Sequence, residues 1–81
     1  MKIEIILFAQ LKEIFGKTNF FLEVPKGNSV GEVVEQLERE SGKDVFGGVP
    51  LVFAVNEHFE MAEKKLADQD ELAILTPVSG G

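Results

Sequence analysis

The chain has no cysteine, which excludes a disulfide framework, a thiolate metal site and a cysteine nucleophile. It has one histidine, His58, too few to build a zinc site alone. No apolar run reaches membrane-spanning length and no signal-peptide pattern precedes the first apolar segment. The expected location is therefore the cytoplasm, with no membrane partner. Basic side chains are also scarce: 8 Lys and Arg stand against 14 Asp and Glu, a net charge of −6. Such a surface repels phosphate backbones and argues against a nucleic-acid partner. It suits a basic protein partner, although acidic surfaces are common enough to carry little weight alone.

What the sequence does have is core-forming material. Leu, Ile, Val and Phe fill 29 of 81 positions, well above the roughly 20% below which chains tend to stay disordered. The length suits one domain, residues 1–81, with residues 78–81 as an extended tail.

"KIEIILFA" (Lys2 to Ala9) begins in strict alternation, with Ile3, Ile5 and Leu7 opposite Lys2 and Glu4, and so predicts a strand with one buried face. Ile6 and Phe8 break the pattern by sharing the face of Lys2 and Glu4. "QLKEIFG" places Leu11, Ile14 and Phe15 at helical spacing before Gly16, a short helix with a glycine stop. "TNFFLEV" (Thr18 to Val24) reads as a second strand and "PKGN" as a turn. Ser29 and Glu32 have capping-box spacing, and Val30, Val33, Val34 and Leu37 form the stripe of an amphipathic helix ending near Ser41-Gly42. Gly31 lowers helix propensity inside its first turn. Residues Lys43 to Pro50 read as a loop, flexible at Gly47-Gly48. "LVFAVN" (Leu51 to Asn56) reads as a strand buried on nearly both faces. "EHFE" makes a turn with an exposed His58 into a weak strand. Leu66 is the one buried anchor of a polar turn, and "LAILTPV" (Leu72 to Val78) is the last strand.

One full helix among two hairpins is an α+β pattern. It suggests a ubiquitin-like β-grasp: a mixed sheet of four to five strands under one main helix, with first and last strands parallel and central.

No side-chain active site emerges. The acidic pairs Asp68 with Asp70 and Glu38 with Glu40 fall in a polar turn and on a solvated helix face, which favours surface charge over acid–base work. Ser29 serves better as a cap than as a nucleophile, and the glycines match neither a phosphate loop nor a dinucleotide fingerprint. The end of the chain, "PVSGG", is different. Glycines without Cβ can thread a narrow slot, and a terminal Gly81 leaves its carbonyl carbon open to attack. Pro77 turns the chain out of the sheet, and Pro77 to Gly81 reach about 15 Å at roughly 3.3 Å per residue. A frayed terminus fits the tail alone equally well. Face parity shifts the balance: Leu75 shares a face with Ala73 and Glu71, opposite Leu72 and Ile74. Were the first and last strands parallel neighbours, Phe8 and Leu75 would meet on a solvated face where the tail departs, as in a docking surface. Two scattered surface hydrophobes are the plainer alternative.

"FAQLKE" (Phe8 to Glu13), "AVN" (Ala54 to Asn56), "DQDELAIL" (Asp68 to Leu75) and the terminal "PVSGG" together resemble MoaD, the small subunit of molybdopterin synthase, over the whole chain. The tail is the most specific element. Two positions depart: Gln69 stands where the family usually has glycine, which is expected to alter turn geometry only. Thr76 stands where the family usually has a second proline, which is expected to loosen the exit of the tail. The resemblance implies a β-grasp sulfur carrier that is the non-catalytic small subunit of a heterotetrameric complex and binds no cofactor itself. A MoeB-like enzyme would use ATP to adenylate the carboxylate of Gly81, and a sulfurtransferase would supply sulfur for a thiocarboxylate. A MoaE-like large subunit would take in Ser79, Gly80 and Gly81 and pass sulfur to cyclic pyranopterin monophosphate, building the metal-binding dithiolene. The resemblance also implies a docking patch at Phe8, Phe59 and Leu75, of which parity reaches the first and last. Related readings are a carrier for thiamine synthesis or transfer-RNA thiolation, or a modifier conjugated to lysines. A reading of another class is a binding module with an inert tail.

Overall fold

The computed structural model describes residues 1–8, 10–42, 45–46 and 50–77. Its elements are β1 (Lys2–Leu7), α1 (Gln10–Phe15), β2 (Asn19–Glu23), α2 (Val30–Ser41), β3 (Val52–Val55), β4 (His58–Glu60) and β5 (Glu71–Leu75). Five strands form one sheet in the order β2-β1-β5-β3-β4. β1 and β5 pair in parallel, whereas every other neighbour is antiparallel. The expected mixed sheet is present, with β5 in the middle and β1 beside it.

The alternation of β1 sets the layer structure. Ile3, Ile5 and Leu7 are buried, and so are Leu72 and Ile74 of β5 and Val30, Val33 and Leu37 of α2. These side chains share one apolar cluster between helix and sheet. Phe15 closes one end of it, with ring centroids 6.1 Å from Phe20 and 5.7 Å from Phe46. Leu66, 5% exposed, anchors the polar turn as expected.

Local chemistry sets the helix ends. Ser29 Oγ accepts from the Glu32 N–H at 3.3 Å, and the Glu32 carboxylate accepts from the Ser29 N–H at 2.8 Å. This complete capping box occupies donors that the first helical turn cannot satisfy internally. The Ser29 backbone N–H, then its hydroxyl, hold the Glu32 carboxyl below its ordinary range, with Lys65 adding a smaller attraction. Gly16 stops α1 at φ 74°, a left-handed conformation that glycine adopts freely.

The start of α2 has tertiary partners beyond its own capping box. The Gly31 N–H donates to the Ala62 carbonyl at 2.9 Å, and the Val30 N–H to the Lys64 carbonyl at 2.9 Å. The segment after β4 thus straps across the start of α2. A Cβ at Gly31 would stand 3.4 Å from both the Cβ and the carbonyl oxygen of Ala62. Those are ordinary van der Waals distances, so the approach of the strap does not itself demand glycine.

The strands differ from expectation in two respects. Most are a residue or more shorter, because hydrogen-bonded pairing ends before the apolar run does: β1 stops at Leu7 and β5 at Leu75. β3 is not buried on both faces; Val52, Phe53 and Ala54 are half-buried and only Val55 is buried. The reason is layering, since the helical layer covers one side of the sheet and the other side stays open. His58 is exposed as expected, but it opens β4 rather than lying in the turn. The turn is the two residues Asn56 (φ 49°) and Glu57 (φ 72°), and both positive values mark the type I′ geometry suited to twisted hairpins. Asparagine tolerates that region, whereas glutamate carries a Cβ penalty of roughly 1–2 kcal/mol. Glu57→Gly is expected to raise stability by about 0.5 kcal/mol after the added chain entropy of glycine, a rise of a few degrees in melting temperature. A thermal melt followed by circular dichroism checks this, and a lower midpoint contradicts the strain.

Gln69 keeps the turn that glycine would make. It adopts φ 72°, its N–H donates to the Lys2 carbonyl at 2.7 Å, and the Asp70 N–H closes onto Ala67 at 3.1 Å. The departure therefore leaves the turn in place with a strained residue in it. Beside it, the Lys2 N–H, then the Gln69 side chain, hold the Asp68 carboxyl below its usual range.

Candidate docking face and tail exit

Strand register converts sequence parity into an address on the open face. The pairs Asn19 with Ile6, Ile6 with Ala73, Ala73 with Ala54, and Ala54 with Phe59 run as one row across all five strands. One step toward the C-terminal end of β5, Val52 is level with Leu75. Continuing the β1 register puts Phe8 level with Leu75, and continuing that of β4 puts Met61 level with Val52. Phe8 lines a groove with Glu4, Ile6 and Asn19, so it does lie on this face. Phe59 and Met61 line a second groove with Val52.

The result is an apolar field at the tail end of the open face. Phe8 is 46% exposed, Phe59 78% and Met61 73%, while Leu75 is half-buried. Phe8, Phe59 and Met61 gather here with Leu75, while exposed Ile14 and Phe21 lie elsewhere; an aromatic and Met cluster of this kind has the composition of a protein-docking surface. Sequence reasoning found Phe8 and Leu75 by parity and Phe59 through the family resemblance. It did not find Met61. The available signal was the two-residue turn at Asn56-Glu57, which fixes Ala54 opposite Phe59 and so aligns β4 with the patch.

At the opposite end of the same face, where exposed Phe21 on β2 stands level with Glu4, hydrogen bonds tie β3 to β5. Asn56 Nδ2 donates to Asp70 at 2.9 Å, Asn56 Oδ1 accepts from the Glu71 N–H at 3.0 Å, and the second Asp70 oxygen accepts from the Ala67 N–H at 2.8 Å. This network ties the β3–β4 turn to the start of β5. It gives the "AVN" and "DEL" segments a structural task, that of fixing where β5 begins and hence the height at which Leu75 ends.

Beyond Leu75 the described chain continues through half-buried Thr76 and exposed Pro77. Ser79, Gly80 and Gly81, the expected tail and reactive end, lie outside the described residues, as do Gly47 and Gly48. Among the described residues no group of three His, Asp or Glu side chains could hold a metal ion, and no helix is long and apolar enough to cross a membrane.

A mixed five-stranded sheet packed on a helix, with parallel central strands, is a ubiquitin-like β-grasp. SAMP1 from Haloferax volcanii shares it, with a TM-score of 0.83 at 24% identity over 100% of both chains. The chain belongs to the ThiS family, which it matches over residues 5–81. It is 31% identical over 83 residues to the molybdopterin synthase sulfur carrier subunit of Arabidopsis thaliana, covering 100% of this chain and 84% of that one. A solved protein–protein complex of subunits 1 and 2 of molybdopterin-converting factor from Helicobacter pylori contains a chain 29% identical to this one. That likeness covers 100% of both chains with a TM-score of 0.69.

Proposed function

We propose that this protein is the sulfur carrier subunit of a molybdopterin synthase, with the main-chain carboxylate of Gly81 as its reactive group. The observation that carries the proposal is the apolar field of Phe8, Phe59 and Leu75, placed where the chain leaves the sheet toward Gly80-Gly81. The curated relative, matched along the whole chain, supports the same role. The complex of two molybdopterin-converting factor subunits supports a partner subunit.

The chemistry follows from the weakness of a carboxylate as an electrophile. Its charge repels nucleophiles and its oxygen leaves poorly. An activating enzyme of the MoeB type joins a Gly81 carboxylate oxygen to the α-phosphorus of ATP and releases pyrophosphate. Sulfide-level sulfur, supplied through a sulfurtransferase, then adds to the carbonyl carbon as hydrosulfide, and AMP departs. The thiocarboxylate left on the chain is a soft anionic sulfur nucleophile, comparable in role to a cysteine thiolate. Here it rides on the backbone, which fits a chain without cysteine. The large subunit then receives the tail and directs sulfur to the pterin, so the carrier supplies reach and docking while its partners supply the catalytic side chains.

Incubation with ATP, the activating enzyme and a sulfur donor is expected to shift the intact mass by the difference between one sulfur and one oxygen. An unchanged mass rejects the carrier chemistry. A second arm offers the charged carrier to the large subunit with pterin precursor or to lysine-bearing proteins. Sulfur in the pterin supports the synthase role; an isopeptide product identifies a modifier instead.

A further inference from the structure

Met61 stands in the apolar field, and the chemistry proposed above gives its sulfur no task. Cysteine is absent, so the two methionines carry the only side-chain sulfur. They differ in access. Met1 is half-buried and packs against the core cluster, whereas Met61 is 73% exposed. The backbone holds Met61 in place, since its carbonyl accepts from the Lys64 N–H at 3.1 Å where the strap begins. Its side chain lines a groove of about 480 Å³ with Val52, Phe53 and Phe59, flanked by Glu60 and Glu63. Every side chain lining that groove is apolar or a carboxylate, so at neutral pH none donates a hydrogen bond.

We propose that Met61 is a modification site, at which a peroxide-class oxidant turns the thioether into a sulfoxide and weakens the carrier's hold on its large subunit. The inference rests on the docking reading above and adds a means of control. The thioether sulfur attacks one peroxide oxygen, the O–O bond breaks, an S–O bond forms, and the second oxygen leaves as water. Sulfur gives up two electrons and the peroxide takes them. The product replaces a flexible apolar side chain with a polar one. On the free face, water satisfies the new oxygen. Once a partner covers the groove, that oxygen faces a lining without donors, and a buried polar group left unpaired opposes binding. The reaction belongs to the free carrier, whose face is uncovered each time it returns to the activating enzyme; a docked partner shields the sulfur. The buried core does not include Met61, so the fold survives the change.

The test treats the carboxylate form of the carrier with graded hydrogen peroxide, removes the peroxide with catalase, and locates sulfoxide by peptide mass mapping. Mapping is needed because one added oxygen and one oxygen-to-sulfur exchange change the intact mass almost equally. Titration calorimetry then gives the affinity for the large subunit of treated and untreated wild type and Met61→Leu. Met61 is expected to oxidise before Met1, and oxidised wild type to bind about tenfold more weakly at an unchanged melting temperature. Methionine sulfoxide reductase should restore its binding. Met61→Leu should bind like wild type and keep that affinity after peroxide. Oxidation of Met61 no faster than of Met1, full affinity of the oxidised protein, or an equal loss in Met61→Leu each overturns the inference. So does a fall in melting temperature that accounts for the weaker binding. A Phe8→Glu control separates the two readings: if it abolishes binding while the sulfoxide form binds normally, docking stands and the oxidation control falls. If untreated wild type shows no binding, both fall.

Discussion

Deleting Gly81, or adding one residue after it, is expected to reduce adenylation by the activating enzyme to background while the melting temperature stays that of wild type. The chemical half of this expectation follows from where the electrophile would be formed. Deletion leaves Gly80 as the end and withdraws the carboxylate by one residue, about 3.3 Å, from a pocket that reads position to within a fraction of that distance. An added residue turns the Gly81 carboxylate into an amide and places a Cβ in a passage suited to glycine. The structural half follows from the fold. The last paired residue of β5 is Leu75, level with Val52, and among the described residues the buried apolar core draws on none beyond Ile74. ATP–pyrophosphate exchange in the presence of the activating enzyme gives the readout. Exchange at wild-type rates by either variant would place the reactive group elsewhere and leave the inert-tail reading standing.

Phe8→Glu and Leu75→Glu are each expected to weaken binding of the large subunit by about 30-fold or more, the ~2 kcal/mol scale of an apolar interface anchor. Phe8 is the cleaner variant. It lies beyond the end of β1 and is 46% exposed, so its effect on stability should remain within about 0.5 kcal/mol. Leu75 is half-buried and paired with Val52, so a somewhat larger loss of stability is expected there. Leu72→Glu is the matched contrast. It lies three residues earlier in β5 but on the opposite face, with 0% exposure, and a charge there should prevent folding. A melt and a binding isotherm on each variant check the face assignment. If Phe8→Glu unfolds the protein, or binds like wild type, that assignment is wrong.

The elements that were legible in the sequence are those fixed by neighbours along the chain. The strict alternation of Ile3, Ile5 and Leu7 against Lys2 and Glu4 is imposed by the pleat, so one buried face could be read directly. Ser29 and Glu32 are three residues apart and form their reciprocal bonds within one helical turn. Gly16 and its left-handed stop were legible for the same local reason. Phe8 and Leu75 were half legible, because parity gave the face but nothing in either strand gave its neighbour.

Sequence by itself determined the α+β order, the single capped helix and the face on which Phe8 and Leu75 stand. Tertiary structure alone decided that β1 and β5 lie side by side and that Phe59 and Met61 join the patch. It alone shows that the start of α2 hydrogen-bonds to the segment after β4. The division follows from the range of the forces involved. Helix caps and pleats act within a few residues, whereas strand pairing is a contest among all possible partners, won by the arrangement that buries the apolar faces of β1, β5 and α2 together.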